Sequence, residues 1–148
     1  MSGRSWVERG KSLLPAVIAT VAVAAVAFSI LWKIQYASPT PLGSDIYYHL
    51  KFAEITATKG LIRQFPWCQF SIFKDHFADK DFLFHVLLVP FVKHSLYQAG
   101  KLFPIWFGTV FIAVLFLILC YHKVAYPWLW LVLFFCWTPT FLYRFSMP

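Results

Sequence analysis

The chain has 148 residues, of which 60% are hydrophobic, 21% aromatic and 13% charged, with a formal net charge of +7. A soluble domain carries about a quarter charged residues, so this composition argues against a water-soluble globule and predicts an all-α integral membrane protein. The basic excess then belongs to lysines and arginines that flank membrane spans and meet anionic headgroups, and no nucleic-acid partner is expected.

In chain order, residues 1–12 carry Arg4, Arg9 and Lys11 and are expected to form a cytoplasmic N-terminus. Leu13 to Trp32 follows, a run of 20 residues without Asp, Glu, Lys, Arg or His. About 20 helical residues at 1.5 Å rise cross the ~30 Å hydrocarbon core, so this run predicts a first transmembrane helix. A signal peptide is the alternative, but its apolar core typically holds only about 7–15 residues, and a retained anchor is the reading adopted.

Residues 33–101 then form a long segment holding five of the six acidic residues (Asp45, Glu54, Asp75, Asp79 and Asp81) and four of the five histidines (His49, His76, His85 and His94). Within it, Ser38-Pro-Thr-Pro-Leu-Gly43 opposes helix, and Ser44 or Asp45 can then cap a helix near 44–59. Ile46, Leu50, Ala53 and Ala57 make its apolar stripe, while Asp45, Tyr48, His49 and Phe52 share a neighbouring face. Asp45 thus reads either as a plain N-cap or as a reactive carboxylate with His49 one turn below. A second amphipathic helix is expected near 79–98, opening at "DKDFLFHVLLVPF". Leu83, Val86, Leu87 and Pro90 would lie along the bilayer interface or the bundle. His85 points to that contact or away from it. Asp79 and Asp81 spell D-x-D, which is too short to identify a metal site and competes with capping at a helix start.

Two further charge-free runs of 20 residues, 102–121 and 124–143, predict second and third transmembrane helices. Trp32, Trp106, Trp128 and Trp130 anchor the ends of the spans. Pro127 falls in the first turn of the third, and Pro139 kinks or ends it. The basic N-terminus and Lys123, in the turn between the second and third spans, belong on one side, which the positive-inside rule makes cytoplasmic. Lys33 and Lys101 flank the opposite ends and weaken that argument. Residues 33–101 are then external, as are residues 144–148, where the chain breaks off at "FSMP". Cys68, Cys120 and Cys136 have no metal-ligand spacing, and Cys120 and Cys136, inside apolar runs, read as small hydrophobes.

A span, a short linker, "GSDIYYHLKFAE", a later "DKDFLFHVLLVPF" and a tight pair of spans together resemble the start of a GT-C membrane glycosyltransferase. The chain is most similar to catalytic subunits of oligosaccharyltransferases, whose first external loop carries an acidic residue before a Tyr-Tyr-His-Leu-type helix. The resemblance implies that Asp45 sits at a catalytic centre, holding a divalent cation (Mg²⁺ or Mn²⁺) or activating the acceptor. It implies a sugar donor linked to polyprenyl phosphate, used on the external face, with Tyr48, His49 and Arg63 as substrate-binding candidates. Lys51, Arg63 and Lys74 are candidates for the lipid phosphate, against the reading of solvated surface cations. A carboxylate-held cation would stabilise charge on the departing phosphate.

Family members have more spans and a second acidic motif in a later stretch, so the chain is expected to be an N-terminal fragment, inactive alone. Its other partners would be the lipid bilayer and the remainder of the enzyme or other membrane subunits. The rival reading is a non-catalytic structural subunit of a larger membrane complex. Haem ligation is disfavoured because no histidine lies inside an apolar run. A transporter is disfavoured because no ionisable group lies at membrane depth.

Overall fold

The computed structural model describes residues 6–137 except 42, 44 and 94, with side chains placed from 14 to 136. Among the described residues the architecture is all-helical, without strands: α1 (Trp6–Ala37), α2 (Ile46–Lys59), a 3₁₀ turn (Ile72–Lys74), α3 (Phe82–Val92), α4 (Leu96–Tyr121) and α5 (Pro127–Trp137).

Two of these helices, not the expected three, are long and apolar enough to cross a membrane: α1 over Leu14–Ala37, 24 residues, and α4 over its 26 residues. The third expected span is represented by α5, whose 11 described residues are too few to cross ~30 Å at 1.5 Å each. Residues 138–143 of that expectation, with Pro139, lie outside the described part, as do the basic Arg4 and residues 144–148. α1 starts well before Leu13, because Arg9 and Lys11 do not break a helix, whereas "SPTP" ends it after Ala37.

The chain divides into two compact units. The first comprises described residues 6–39 and 104–137. Its core is Ala27, Leu31, Ile105, Ile112, Phe116 and Leu131. Much of its outer surface is equally apolar: Leu14, Val17, Ile18, Val21, Val26 and Ile30 on α1 are all at least half exposed.

The second unit runs from Thr40 to Phe103 and contains α2, α3 and the first two turns of α4. α2 packs on α3 through Ile46, Leu50 and Ala53 against Leu88 and Val92, with Ala99 and Phe103 completing the core. Phe84 and Phe91 meet the Phe103 ring edge-on at 5.2 and 5.4 Å, a favoured arrangement for aromatic quadrupoles. Gly100 permits the close approach of α4, since a Cβ there would stand 3.0 Å from Pro41 Cβ and 3.1 Å from Leu50 Cδ1. Lys101, whose charge was expected to flank a span, is instead fully buried and donates to the Thr40 carbonyl.

The expected helix near 79–98 is two helices. α3 ends at Val92, and Ser95 opens α4, its hydroxyl accepting from Gln98 N at 3.4 Å and its carbonyl from Ala99 N at 2.9 Å. Between α2 and α3 the chain is closed by backbone bonds from Phe65 to Phe73 and from Phe77 to Arg63. Phe65 and Phe77 stack at 5.0 Å and carry this loop onto Phe52 of α2.

Candidate functional site

Three polar side chains of the second unit form a continuous chain. Asp79 lies in the segment before α3; one carboxylate oxygen accepts from the Asp81 backbone N–H at 3.0 Å, and the other lies 2.6 Å from His85 Nδ1. The other ring nitrogen of His85, Nε2, is 2.9 Å from His49 Nδ1 on α2. His85 is 1% exposed and the Asp79 side chain 11% exposed. Burial on that scale is tolerable for a carboxylate only with a hydrogen-bonded partner able to carry positive charge.

Local sequence explains how the chain is assembled. His49 lies three residues after buried Ile46 and four before buried Ala53, so its helix turns it toward α3. His85 lies three and seven residues before buried Leu88 and Val92, so it is on the packed face of α3 and points away from Leu83, Val86 and Leu87. Asp79 folds its carboxylate back onto Asp81 N, a turn that delivers the second oxygen to the ring. Aromatic rings wall the site. Phe52 lies 4.5 Å from the His85 ring, Phe84 lies 5.0 Å from His49, and Tyr48 is edge-on to His49 at 5.2 Å.

The environment shifts two of these groups. Burial, then the neighbouring His85, and to a lesser degree Lys80, hold His49 below the ordinary histidine value; Asp81 and Asp45 act in the opposite sense. Burial, then Asp79 and Asp81, with Cys68, push the Tyr48 phenol above its usual value, so it remains a hydrogen-bond donor.

A cavity of about 180 Å³ opens beside the chain, lined by Phe52, Thr56, Arg63, Phe82, Asp79 and His85 among others. Arg63 thus meets the same cavity as the carboxylate and the buried imidazole. A second, aromatic cleft of about 370 Å³ is lined by Tyr48, Lys51, Phe52, Ile55, Phe65 and Trp67.

Of the residues singled out from sequence, Tyr48 and His49 come together with His85, and Arg63 shares a cavity with His85 and Asp79. Asp45 occupies the N-cap position of α2, exposed, its carbonyl accepting from His49 N at 3.1 Å. Its side chain makes no capping bond. Lys51 is exposed and ion-paired with Glu54, and Lys74 ends the 3₁₀ turn, exposed. Asp79 and His85 were not among the sequence candidates, although His85 keeps helical register with Leu88 and Val92. A hard cation can be held by one or two carboxylates with phosphate oxygens and water. Among the described residues no three His, Cys, Asp or Glu side chains converge to hold a metal ion. These residues therefore do not build a metal cage, and no chemistry is assigned to a cation here.

No known protein family, curated protein or solved structure matches the chain.

Proposed function

We propose that the chain is part of a membrane-embedded glycosyltransferase of the GT-C type. It would transfer a sugar from a polyprenyl-phosphate donor to an acceptor on the external face, with Asp45 as catalytic carboxylate and Tyr48, His49 and Arg63 contacting substrate. The observation that carries the reading is the cavity lined by Arg63, the Asp79 carboxylate and the buried His85 imidazole, which Asp45 does not line, in the stretch of sequence between two membrane-length helices. Glycosyl transfer builds oxocarbenium character at the sugar and negative charge on the departing phosphate. It therefore needs a cation at the phosphate and a base at the acceptor. Arginine suits the first task because its planar fork matches phosphate oxygens.

Membrane insertion is part of the proposal. The large apolar side chains exposed along α1 would cost about 25 cal/mol per Å² in water, whereas lipid removes that cost. The cytoplasmic N-terminus and external polar unit follow from the positive-inside argument.

The test uses the full-length protein in nanodiscs, supplied with a radiolabelled sugar on polyprenyl phosphate. Polyprenyl phosphate should be released and label should appear on the acceptor, both lost in Asp45→Ala and strongly reduced in Arg63→Gln. Turnover unaffected by either change rejects the site. A structural-subunit reading is favoured by one feature, the exposed apolar row Leu83, Val86 and Leu87 on α3. It requires stoichiometric co-purification with a partner and no release of polyprenyl phosphate.

A further inference from the structure

We propose that Asp79, His85 and His49 form a proton relay in which His49 exchanges a proton with a bound hydroxyl and His85 carries the resulting charge. Only the identity of the hydroxyl, a glycosyl acceptor, rests on the function proposed above. The relay itself rests on the geometry of three side chains.

The Asp79 carboxylate accepts at 2.6 Å, which fixes a proton on His85 Nδ1. His85 Nε2 and His49 Nδ1 face each other at 2.9 Å, so one proton lies between them. With both rings neutral, His85 Nε2 must accept, His49 Nδ1 must donate, and the lone pair at the end of the chain is on His49 Nε2. A proton arriving there lets His49 pass its Nδ1 proton to His85 Nε2. His49 is neutral again in the opposite tautomer, and the new imidazolium sits against Asp79. The chain thus moves positive charge inward, from the half-buried ring to the fully buried one.

The surroundings favour that movement. Burial and His85 hold His49 below the ordinary histidine value, and the Asp79 carboxylate 2.6 Å from His85 Nδ1 is the counter-charge toward which a proton landing on His49 passes. The charged and titratable groups facing the relay are Asp45 and Tyr48 from α2, Lys80 and Asp81 from the segment before α3, and Arg63 across the cavity. Among the described residues, the one carboxylate bonded to the His85 ring is that of Asp79. Phe52 and Phe84 pack against the rings and lower the local dielectric, which strengthens the hydrogen bonds between them.

In glycosyl transfer the step balances as follows. The acceptor oxygen bonds to the anomeric carbon while the bond from that carbon to the phosphate oxygen breaks, and its electron pair leaves with polyprenyl phosphate. The acceptor proton goes to His49 Nε2, and the Nδ1 proton goes to His85 Nε2. His49 is the base, and His85 and Asp79 are positioning residues that act through it.

A hydrogen-bond chain that merely ties α2 to α3 would show the same distances, so the test reads proton positions. The full chain, labelled with ¹⁵N in its histidine rings and held in nanodiscs, is followed by long-range ¹H–¹⁵N spectra from pH 8 to pH 5. The relay predicts one concerted event, in which His49 exchanges Nδ1–H for Nε2–H as His85 becomes protonated on both nitrogens. In Asp79→Asn the tautomer exchange should vanish; should that variant lose helicity, the wild-type series and Asp79→Glu decide. Rings that keep their tautomers across the range overturn the relay. So does a tight stoichiometric shift of both facing nitrogens on adding Zn²⁺ or Mn²⁺, which would make the pair a metal-ligand pair. In the transfer assay, His49→Gln should slow turnover about 10²–10⁴-fold and remove the acidic limb of the pH profile. An unchanged profile also overturns the relay. A wild-type enzyme that transfers no sugar but still shows the concerted exchange keeps the relay and rejects the glycosyl reading.

Discussion

The two units solve opposite problems with the same helical backbone. In the first, packed and exposed positions are mostly alike apolar, with Gln35 and Thr109 the buried polar exceptions: Ala27, Leu31 and Ile112 are buried, while Val17, Val21 and Ile30 face outward. In the second, the core of Ile46, Leu50, Leu88 and Phe103 coexists with buried His85 and Lys101, each with a hydrogen-bond partner. A helix that is apolar all round specifies its surroundings more than its partners, because any apolar neighbour satisfies it. A polar group inside a core does the reverse: it demands one partner at one distance and so fixes how α2 meets α3. Chemistry is expected in the second kind of region, and the ionisable residues are concentrated there.

The comparison can be broken at its strongest points first. Leu88→Ala deletes a fully buried side chain between α2 and α3 and should cost about 2–5 kcal/mol, read as loss of protease resistance in residues 40–103. Ala27→Asp places a carboxylate in the middle of α1; a cost of about 2.5–3.5 kcal/mol is expected, measured as the fraction of chains that insert. Asp79→Ala leaves a buried imidazole without its acceptor and should cost about 1–3 kcal/mol in denaturant titration. The His85→Leu background should shrink that penalty, because no orphaned ring remains. Lys51→Ala removes an exposed pair with Glu54 and should cost no more than about 0.5 kcal/mol.

The pH dependence sharpens the same contrast. His49 is held below the ordinary histidine value chiefly by burial and then by His85. On acidification, one of its ring nitrogens should therefore stay unprotonated at pH values where a free histidine is already doubly protonated. In His85→Gln that lowering contribution is lost, so double protonation of His49 should move to higher pH. No upward movement would show that His85 does not act on His49.

α2 was legible in the sequence because Ile46, Leu50 and Ala53 repeat at helical spacing after a proline-rich break. Asp45, Tyr48 and His49 could be placed on it for the same reason. The apolar helices α1 and α4 were legible from long charge-free runs. The break at Val92 was not: Lys93, His94 and Ser95 are each tolerated inside a helix, and Lys101 reads as a flanking charge when its burial depends on a carbonyl 61 residues away. The contact between His49 and His85 joins residues 36 apart, set by how α2 crosses α3. Asp79 was masked by its position beside a helix start, where capping accounts for an acidic residue equally well.

The account stands on the first unit being solvated by lipid and the second by water on the external side. Cysteine accessibility tests this most directly, in a background where Cys68, Cys120 and Cys136 are replaced. Thr58→Cys, on the exposed end of α2, should react with a membrane-impermeant maleimide in intact cells. Val21→Cys, also exposed on α1, should remain unlabelled even after the cells are opened. Val21→Cys labelling as readily as Thr58→Cys once the cells are opened, or Thr58→Cys reacting only then, would contradict it.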